Sequence, residues 1–213
     1  GALLSDKHRD LLAGIEKANS VTVDPHKWFF APLDAGGLLV RDGFLLEDSW
    51  GTRPAYLREE AEQSGRFDFY ARSFEQSRRF RALKVWLSLE YHGQKQLGAW
   101  VDRNIDLAAR LHALCGEHPD FSTAREPALS VVCVRYSPAG GGVDPHRLDS
   151  LHGTVADGIQ NSGAFWLSTT ELRGRMWFRI NPVNLHTRER HIDALFDELA
   201  YRCRECWSEA GAD

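Results

Sequence analysis

No apolar run in this sequence approaches the roughly 20 residues that cross a bilayer, so a membrane-spanning helix is not expected. The first residues, Gly1-Ala2-Leu3-Leu4-Ser5-Asp6, lack a basic segment followed by an apolar stretch. That excludes the pattern of a secretory signal and makes a cytoplasmic location the expectation. Charge of one sign is also scarce, the formal net charge being −4. Nucleic acids and anionic membrane surfaces are met by concentrated Lys and Arg, so neither is expected as a partner. Cysteine is too sparse for a disulfide framework, with four in 213 residues. Cys203 and Cys206 are spaced C-x-x-C, but they fall in a helical pattern and no second ligand pair lies nearby. A structural zinc site draws four ligands, so these two are read as neighbours on a helix face and no metal is predicted. There is no internal repeat and no low-complexity segment.

What is present is an ordinary globular composition, 43% hydrophobic and 26% charged. The length suits one large domain or one and a half smaller ones. Residues 6–17 predict a short surface helix. Ser20-Val21-Thr22-Val23-Asp24 is β-branched and compact, which predicts a buried strand. A second strand is expected over 36–41, where Gly36 and Gly37 suggest a close backbone approach to something bulky. From Glu47 to Gln76 the periodicity dissolves. The charged stretch 58–66 is followed by Phe67, Phe69 and Tyr70, and two readings compete: a solvated loop, or a lid carrying aromatics over a site. Helices are predicted over 79–91, ended by Gly93, and over 96–115. Then follow a strand at 130–136, a loop with Gly140, Gly141 and Gly142, and a helix at about 145–161. Strands at 165–170 and 176–180 flank a hairpin through Arg173 and Gly174, and a last helix runs over 188–207 with Thr187 as its N-cap. Strands separated by helices predict a small α/β lobe beginning near residue 95.

The chemistry concentrates at Lys27. A lysine after a buried strand is unusual because desolvation penalises its ammonium form. Burial would favour the neutral amine, the form that attacks an aldehyde to make an imine. Pro25 fixes the backbone at the strand end, His26 offers a ring nitrogen to an anionic phosphate, and Trp28, Phe29 and Phe30 supply an apolar wall. A His-Lys pair alone is weak evidence; between this strand and these aromatics it becomes suggestive without being specific.

Specificity comes from a resemblance. The run Ser20-Val21-Thr22-Val23-Asp24-Pro25-His26-Lys27-Trp28, with Asp34-Ala35-Gly36-Gly37-Leu38-Leu39-Val40-Arg41-Asp42 after it, resembles the cofactor-lysine region of group II pyridoxal 5′-phosphate (PLP) decarboxylases. These include the aromatic-amino-acid, histidine and glutamate decarboxylases. Ser77-Arg78-Arg79-Phe80-Arg81-Ala82-Leu83-Lys84-Val85-Trp86 and Gly174-Arg175-Met176-Trp177-Phe178-Arg179-Ile180 are similar to later segments of the same family, in the same order. The resemblance implies the carboxy-terminal part of an α/β, fold-type I PLP enzyme. Residues 1–94 would end the large PLP-binding domain and 95–213 would form the small carboxy-terminal domain. It implies that Lys27 forms the Schiff base with PLP and that His26 contacts the cofactor phosphate. It also implies that Arg179 approaches the substrate α-carboxylate, against the alternative of a structural ion pair on a strand. Arg78, Arg79 and Arg81 would anchor a helix or an interface rather than touch substrate.

The resemblance further implies a missing part: a phosphate-cradling turn, a histidine stacked on the cofactor ring and an aspartate on its ring nitrogen, the last expected just upstream of Gly1. A companion chain holding that amino-terminal half is expected, with proteolytic nicking and truncation as alternatives. The assembled unit would form the family's dimer and act on a small-molecule amino acid. The family's loop tyrosine, which protonates the substrate carbon after CO₂ leaves, aligns with Phe69, and Tyr70 follows it. Phenylalanine cannot donate a proton. In relatives with that replacement the outcome is an aldehyde, ammonia and CO₂. Decarboxylation to the amine is therefore expected, with oxidative decarboxylation-deamination as its rival and a non-catalytic stabilising subunit as a third reading.

Overall fold

The computed structural model of this protein describes residues 1–51, 69–139 and 144–209. The stretch 58–66, Phe67 and the glycines 140–142 lie outside the described residues. Two compact units are present, Gly1–Gly98 and Ala99–Asp213.

Unit 1 opens with short 3-10 turns at Ala2–Leu4, Arg9–Leu12 and Ile15–Lys17 in place of the helix expected over 6–17. Gly14, at φ 95°, separates two of these turns and prevents one continuous helix. Strand β1 (Ser20–Val23) pairs antiparallel with β2 (Gly37–Val40). β1 is not buried on both faces: Val21 and Val23 are half-covered while Ser20 and Thr22 are exposed, the alternation of a ribbon covered on one side. Helix α1 (Phe44–Trp50) occupies part of the region whose periodicity looked dissolved. Asp42 makes a turn leading into it by accepting from the Phe44 amide at 3.0 Å, and Arg72 ties its Glu47 to the 3-10 turn Phe69–Arg72 at 2.7 Å.

The helical segment α2 (Arg81–Glu117) passes from one unit into the other. Its backbone breaks at Gly93, where φ 73° and ψ 155° are non-helical, so it reads as the two helices expected from the sequence.

Unit 2 holds an antiparallel sheet in the order β3 (Phe121–Thr123), β4 (Val132–Tyr136), β6 (Arg175–Ile180), β5 (Ser168–Leu172). β5 begins later than the expected 165, and β3 was not foreseen. Helix α3 (Pro145–Ser162) packs on the sheet and on helix α4 (Glu189–Glu209). Asp144 caps α3 through the His146 amide at 3.0 Å, and Pro145 has no amide hydrogen to leave unpaired in the first turn. The buried residues of α3 are Leu148, Leu151, His152, Val155, Ala156 and Ile159; those of α4 include Ile192, Leu195, Phe196, Leu199, Ala200 and Cys203. Both sets repeat at three and four residues, which makes one stripe along each helix. With Val132, Val134, Phe178 and Ile180 from the sheet, these stripes form the core. The hairpin falls where expected: Leu172 pairs with Arg175, and Arg173 and Gly174 have φ 53° and 69°. Two positive φ values in a two-residue loop give a type I′ turn, whose twist matches the strands.

Candidate active site around Lys27

β1 ends at Val23, and the chain turns at once. The Lys27 amide donates to the Asp24 carbonyl at 2.9 Å, the Phe30 amide to the Lys27 carbonyl at 3.0 Å, and the Ala31 amide to the Pro25 carbonyl at 3.1 Å. Pro25, Ala31 and Ala35 are buried beneath this turn, and the Ser88 hydroxyl holds it to α2 by donating to the Phe29 carbonyl at 2.8 Å.

Lys27 itself is not buried. Its side chain is 59% exposed, and its Nζ donates to Asp24 Oδ2 at 2.6 Å. The expectation of a buried amine is corrected: the turn carries the Lys27 side chain off the ribbon, where Asp24 pairs with it. Hydrogen bonding and charge from Lys27 hold the Asp24 carboxyl below the usual carboxylate range. His26 sits half-buried with Nδ1 2.7 Å from the Ala35 carbonyl. A carbonyl only accepts, so Nδ1 carries the hydrogen and Nε2 is left to other partners. Trp28, Phe29 and Phe30 are half-buried around this turn.

Gly36 and Gly37 do not meet any bulky group of this chain: Gly37 approaches only Val23, and an added Cβ at Gly36 would meet nothing within 4 Å. They border a groove of 410 Å³ whose other walls include Arg78, Ala82 and Trp86. Asp34 beside it gathers three cations, accepting from Arg81 Nε at 2.8 Å and Lys84 Nζ at 3.4 Å, with Arg79 at 3.9 Å. This holds the Asp34 carboxyl down to about 2, chiefly through the Arg81 hydrogen bond. Arg81 and Lys84 thus fasten the loop after the Lys27 turn onto α2, with Arg79 just before the helix.

Phe69 and Tyr70 share the 3-10 turn Phe69–Arg72 but have different surroundings. Phe69 is 60% exposed with the Arg78 guanidinium 4.8 Å from its ring centre. Tyr70 borders another groove, of 340 Å³, with Asp48, Trp50 and Phe74. Arg179 belongs to unit 2, on β6 between Cys133 and Ser168. Its neighbours Phe178 and Ile180 fill the core, so Arg179 occupies the other face of the sheet, half-buried. Burial pushes the Cys133 thiol up, and the Arg179 charge opposes that.

Of the expected residues, unit 1 therefore brings together His26 and Lys27 on one turn. Asp24 as the partner of Lys27 was not foreseen, though its spacing three residues before the lysine was a signal. Asp34 had none, because its principal partner lies 47 residues on. Cys203 lies in the core and Cys206 packs partly against it, and burial raises the Cys203 thiol. Among the described residues no group of three or more His, Cys, Asp or Glu converges as a metal site, and no helix is long and apolar enough to cross a membrane.

Comparison with known proteins adds a family model described as the pyridoxal-dependent decarboxylase conserved domain, which matches residues 1–137. The chain is 34% identical over 212 residues to an aromatic-L-amino-acid decarboxylase of Bacillus atrophaeus, covering 95% of the chain and 44% of the relative. It is 27% identical over 192 residues to a phenylacetaldehyde synthase of Arabidopsis thaliana, covering 90% of the chain and 39% of the relative. The crystal structure of Oryza sativa TDC with PLP and tryptamine superposes with a TM-score of 0.86 at 25% identity, over 96% of the chain and 42% of that protein. The chain spans less than half the length of these relatives.

Proposed function

Because the chain belongs to the pyridoxal-dependent decarboxylase family, with the α/β fold of the carboxy-terminal part of a fold-type I PLP enzyme, we propose that it contributes the cofactor-bonding lysine to an amino-acid decarboxylase. The family's cofactor is PLP, and the donor set of the Lys27 turn fits such a group. It offers a primary amine for an aldehyde and, on the preceding residue, an imidazole for a phosphate. The observation that carries the proposal is the solvent-facing Lys27 amine on a turn fastened by three backbone hydrogen bonds and Ser88.

When bound, PLP supplies an electron-accepting ring that takes up the electron pair left as the substrate carboxylate departs as CO₂. The chain's own residues do the positioning. Lys27 holds the cofactor's aldehyde carbon. His26, with Nδ1 committed to the Ala35 carbonyl, would have Nε2 left for the phosphate. By the family resemblance, Arg179 would offer its guanidinium to the substrate α-carboxylate.

Residues 1–94 serve as the end of the cofactor domain and 95–213 as the small carboxy-terminal domain. An amino-terminal half, on a companion polypeptide or on the same one, would complete the site, and the assembled unit would pair with a second copy. The exposed apolar side chains of unit 1 support this, among them Leu38, Leu39, Phe80, Leu87 and Tyr91.

The rival outcome rests on Phe69. If it stands where a proton donor is required, the substrate carbon is left unprotonated and dioxygen takes its electron pair, so that with water the products are an aldehyde, ammonia and peroxide in place of the amine. Tyr70, in its separate groove, is the one phenol on this turn able to donate. The test is to supply candidate amino acids to the assembled protein and measure amine against aldehyde plus peroxide. Mostly aldehyde overturns the amine reading, and Phe69→Tyr then restores amine. Retention of the visible absorbance of lysine-bound pyridoxal in Lys27→Ala overturns the role of Lys27. Neither product with any substrate favours a stabilising subunit.

A further inference from the structure

We propose that Asp24 is a positioning residue, the resting partner of the Lys27 amine whenever that amine is not bonded to the cofactor. This rests on the reading of Lys27 as the cofactor-bonding lysine. It adds a second station for the amine and a residue that provides it.

Lys27 Nζ and Asp24 Oδ2 stand 2.6 Å apart, within one turn closed by the Lys27 amide on the Asp24 carbonyl at 2.9 Å. Pro25 lies between them and restricts the backbone further. The pair is thus set by local chain geometry and does not require distant packing to bring it together. Asp24 is a carboxylate at neutral pH, because Lys27 favours its charged form. The two side chains are 59% and 49% exposed. Exposed pairs hold weakly, shifting a population about twofold to fivefold. That strength suits a temporary station: a buried pair would keep the amine from the cofactor, and no pair would let a four-carbon side chain wander.

The step that frees Lys27 is an exchange of amines at the cofactor's aldehyde carbon. The substrate nitrogen gains the bond to that carbon and gives up two hydrogens, while Lys27 loses its bond and takes two. The freed amine then takes a proton from solvent and pairs with Asp24. Product amine would leave by the reverse exchange.

The first test needs no cofactor. The protein is treated with trinitrobenzenesulfonate, an amine reagent, and modification of Lys27 is followed by peptide mass spectrometry, with Lys7 and Lys17 as internal references. In Asp24→Asn, Lys27 reacts about twofold to fivefold faster than in the parent at low salt. The gap closes near 1 M salt, where the Debye length is about 3 Å. Equal Lys27 rates at low salt overturn the proposal. In the assembled, cofactor-loaded protein, Asp24→Asn keeps the lysine-bound absorbance but slows its return after a pulse of substrate. An unchanged return rate also overturns it. Lys27→Ala separates the two ideas: if the absorbance survives that change, the cofactor reading fails, whereas equal labelling with the absorbance lost in Lys27→Ala removes only the role of Asp24.

Discussion

The two units of this chain solve the burial problem to different extents. Unit 2 closes a core: Phe178, Leu199, Ile159 and Val134 are fully buried between one face of its sheet and the stripes of its helices. Unit 1 leaves its apolar side chains facing outward. Among the described residues, every exposed large hydrophobic except Val131, Trp166 and Tyr201 belongs to it. A fully buried Leu or Phe contributes roughly 1.5–3 kcal/mol, so unit 2 has the means to stand alone. Unit 1 is held mainly by turns, the β1–β2 ribbon and the Asp34 cluster. The difference teaches where each kind of function sits: the candidate lysine is on the open unit, and the closed unit follows it in sequence.

The largest effect tests the closed core. Phe178→Ala is expected to destabilise unit 2 by about 3–5 kcal/mol, since the ring's contacts are lost and the cavity only partly collapses. Hydrogen exchange of the β4 and β6 amides measures it. Protection within 1 kcal/mol of the parent, an approximate limit well below that range, breaks the comparison.

Next in size is a pH effect inside the same core. His152 takes an apolar-stripe position on α3, fully buried, with Nδ1 donating to the Leu148 carbonyl at 2.6 Å and Nε2 accepting from the Tyr136 amide at 3.0 Å. Burial pushes its pKa down to about 4, so the folded state holds the neutral ring. The unfolded chain takes up this proton near pH 6.5, before the folded state does. Stability from this group is therefore fully present above about pH 6.5 and is lost as pH falls to about 4. The separation corresponds to about 3 kcal/mol at 1.36 kcal/mol per unit. Denaturant melts of the parent and of His152→Phe across this window check the sign, and the variant should lose the part of the slope due to this ring. Equal slopes would remove His152 from the account.

Smaller again is the hairpin. Gly174 has φ 69°, and a side chain in the left-handed region costs about 1–2 kcal/mol, so Gly174→Ala should destabilise β5–β6 by that amount. Exchange at the Leu172 and Arg175 amides reports it, and an unchanged rate would mean that the turn relaxes freely. This hairpin was legible in the sequence because its determinant is local: a glycine that permits positive φ between β-forming segments. The stripes of α3 and α4 were legible for a similar reason, their repeats lying within one helix each. The burial of β1 and Lys27 was not, because it depends on what lies over the ribbon, and a run of β-branched residues does not record that. The three-residue β3 is too short to show a period, and Asp34 meets Arg81 from far along the chain. The candidate site was found through its likeness to a family over residues 20–42; local pattern alone gave only a lysine beside aromatics.

The smallest expected effect is in unit 1, and it is the sharpest probe of the difference between the units. Leu39 lies on β2, paired with Val21, and its side chain is 65% exposed. Its truncation removes little buried area, so Leu39→Ala should leave the unfolding of the chain within about 0.5 kcal/mol of the parent. If the β2 face is the seat of a companion polypeptide, the same change should weaken assembly while folding is unaltered. Urea melts at two protein concentrations and a binding titration with the amino-terminal half measure the two arms separately. A loss above 1 kcal/mol that disappears on dilution would mean that copies of this chain cover the face themselves, since ordinary surface substitutions stay within about 0.5 kcal/mol. A loss independent of concentration would mean that Leu39 is packed within its own chain, and the contrast between an open and a closed unit would fail at the strand leading away from the Lys27 turn.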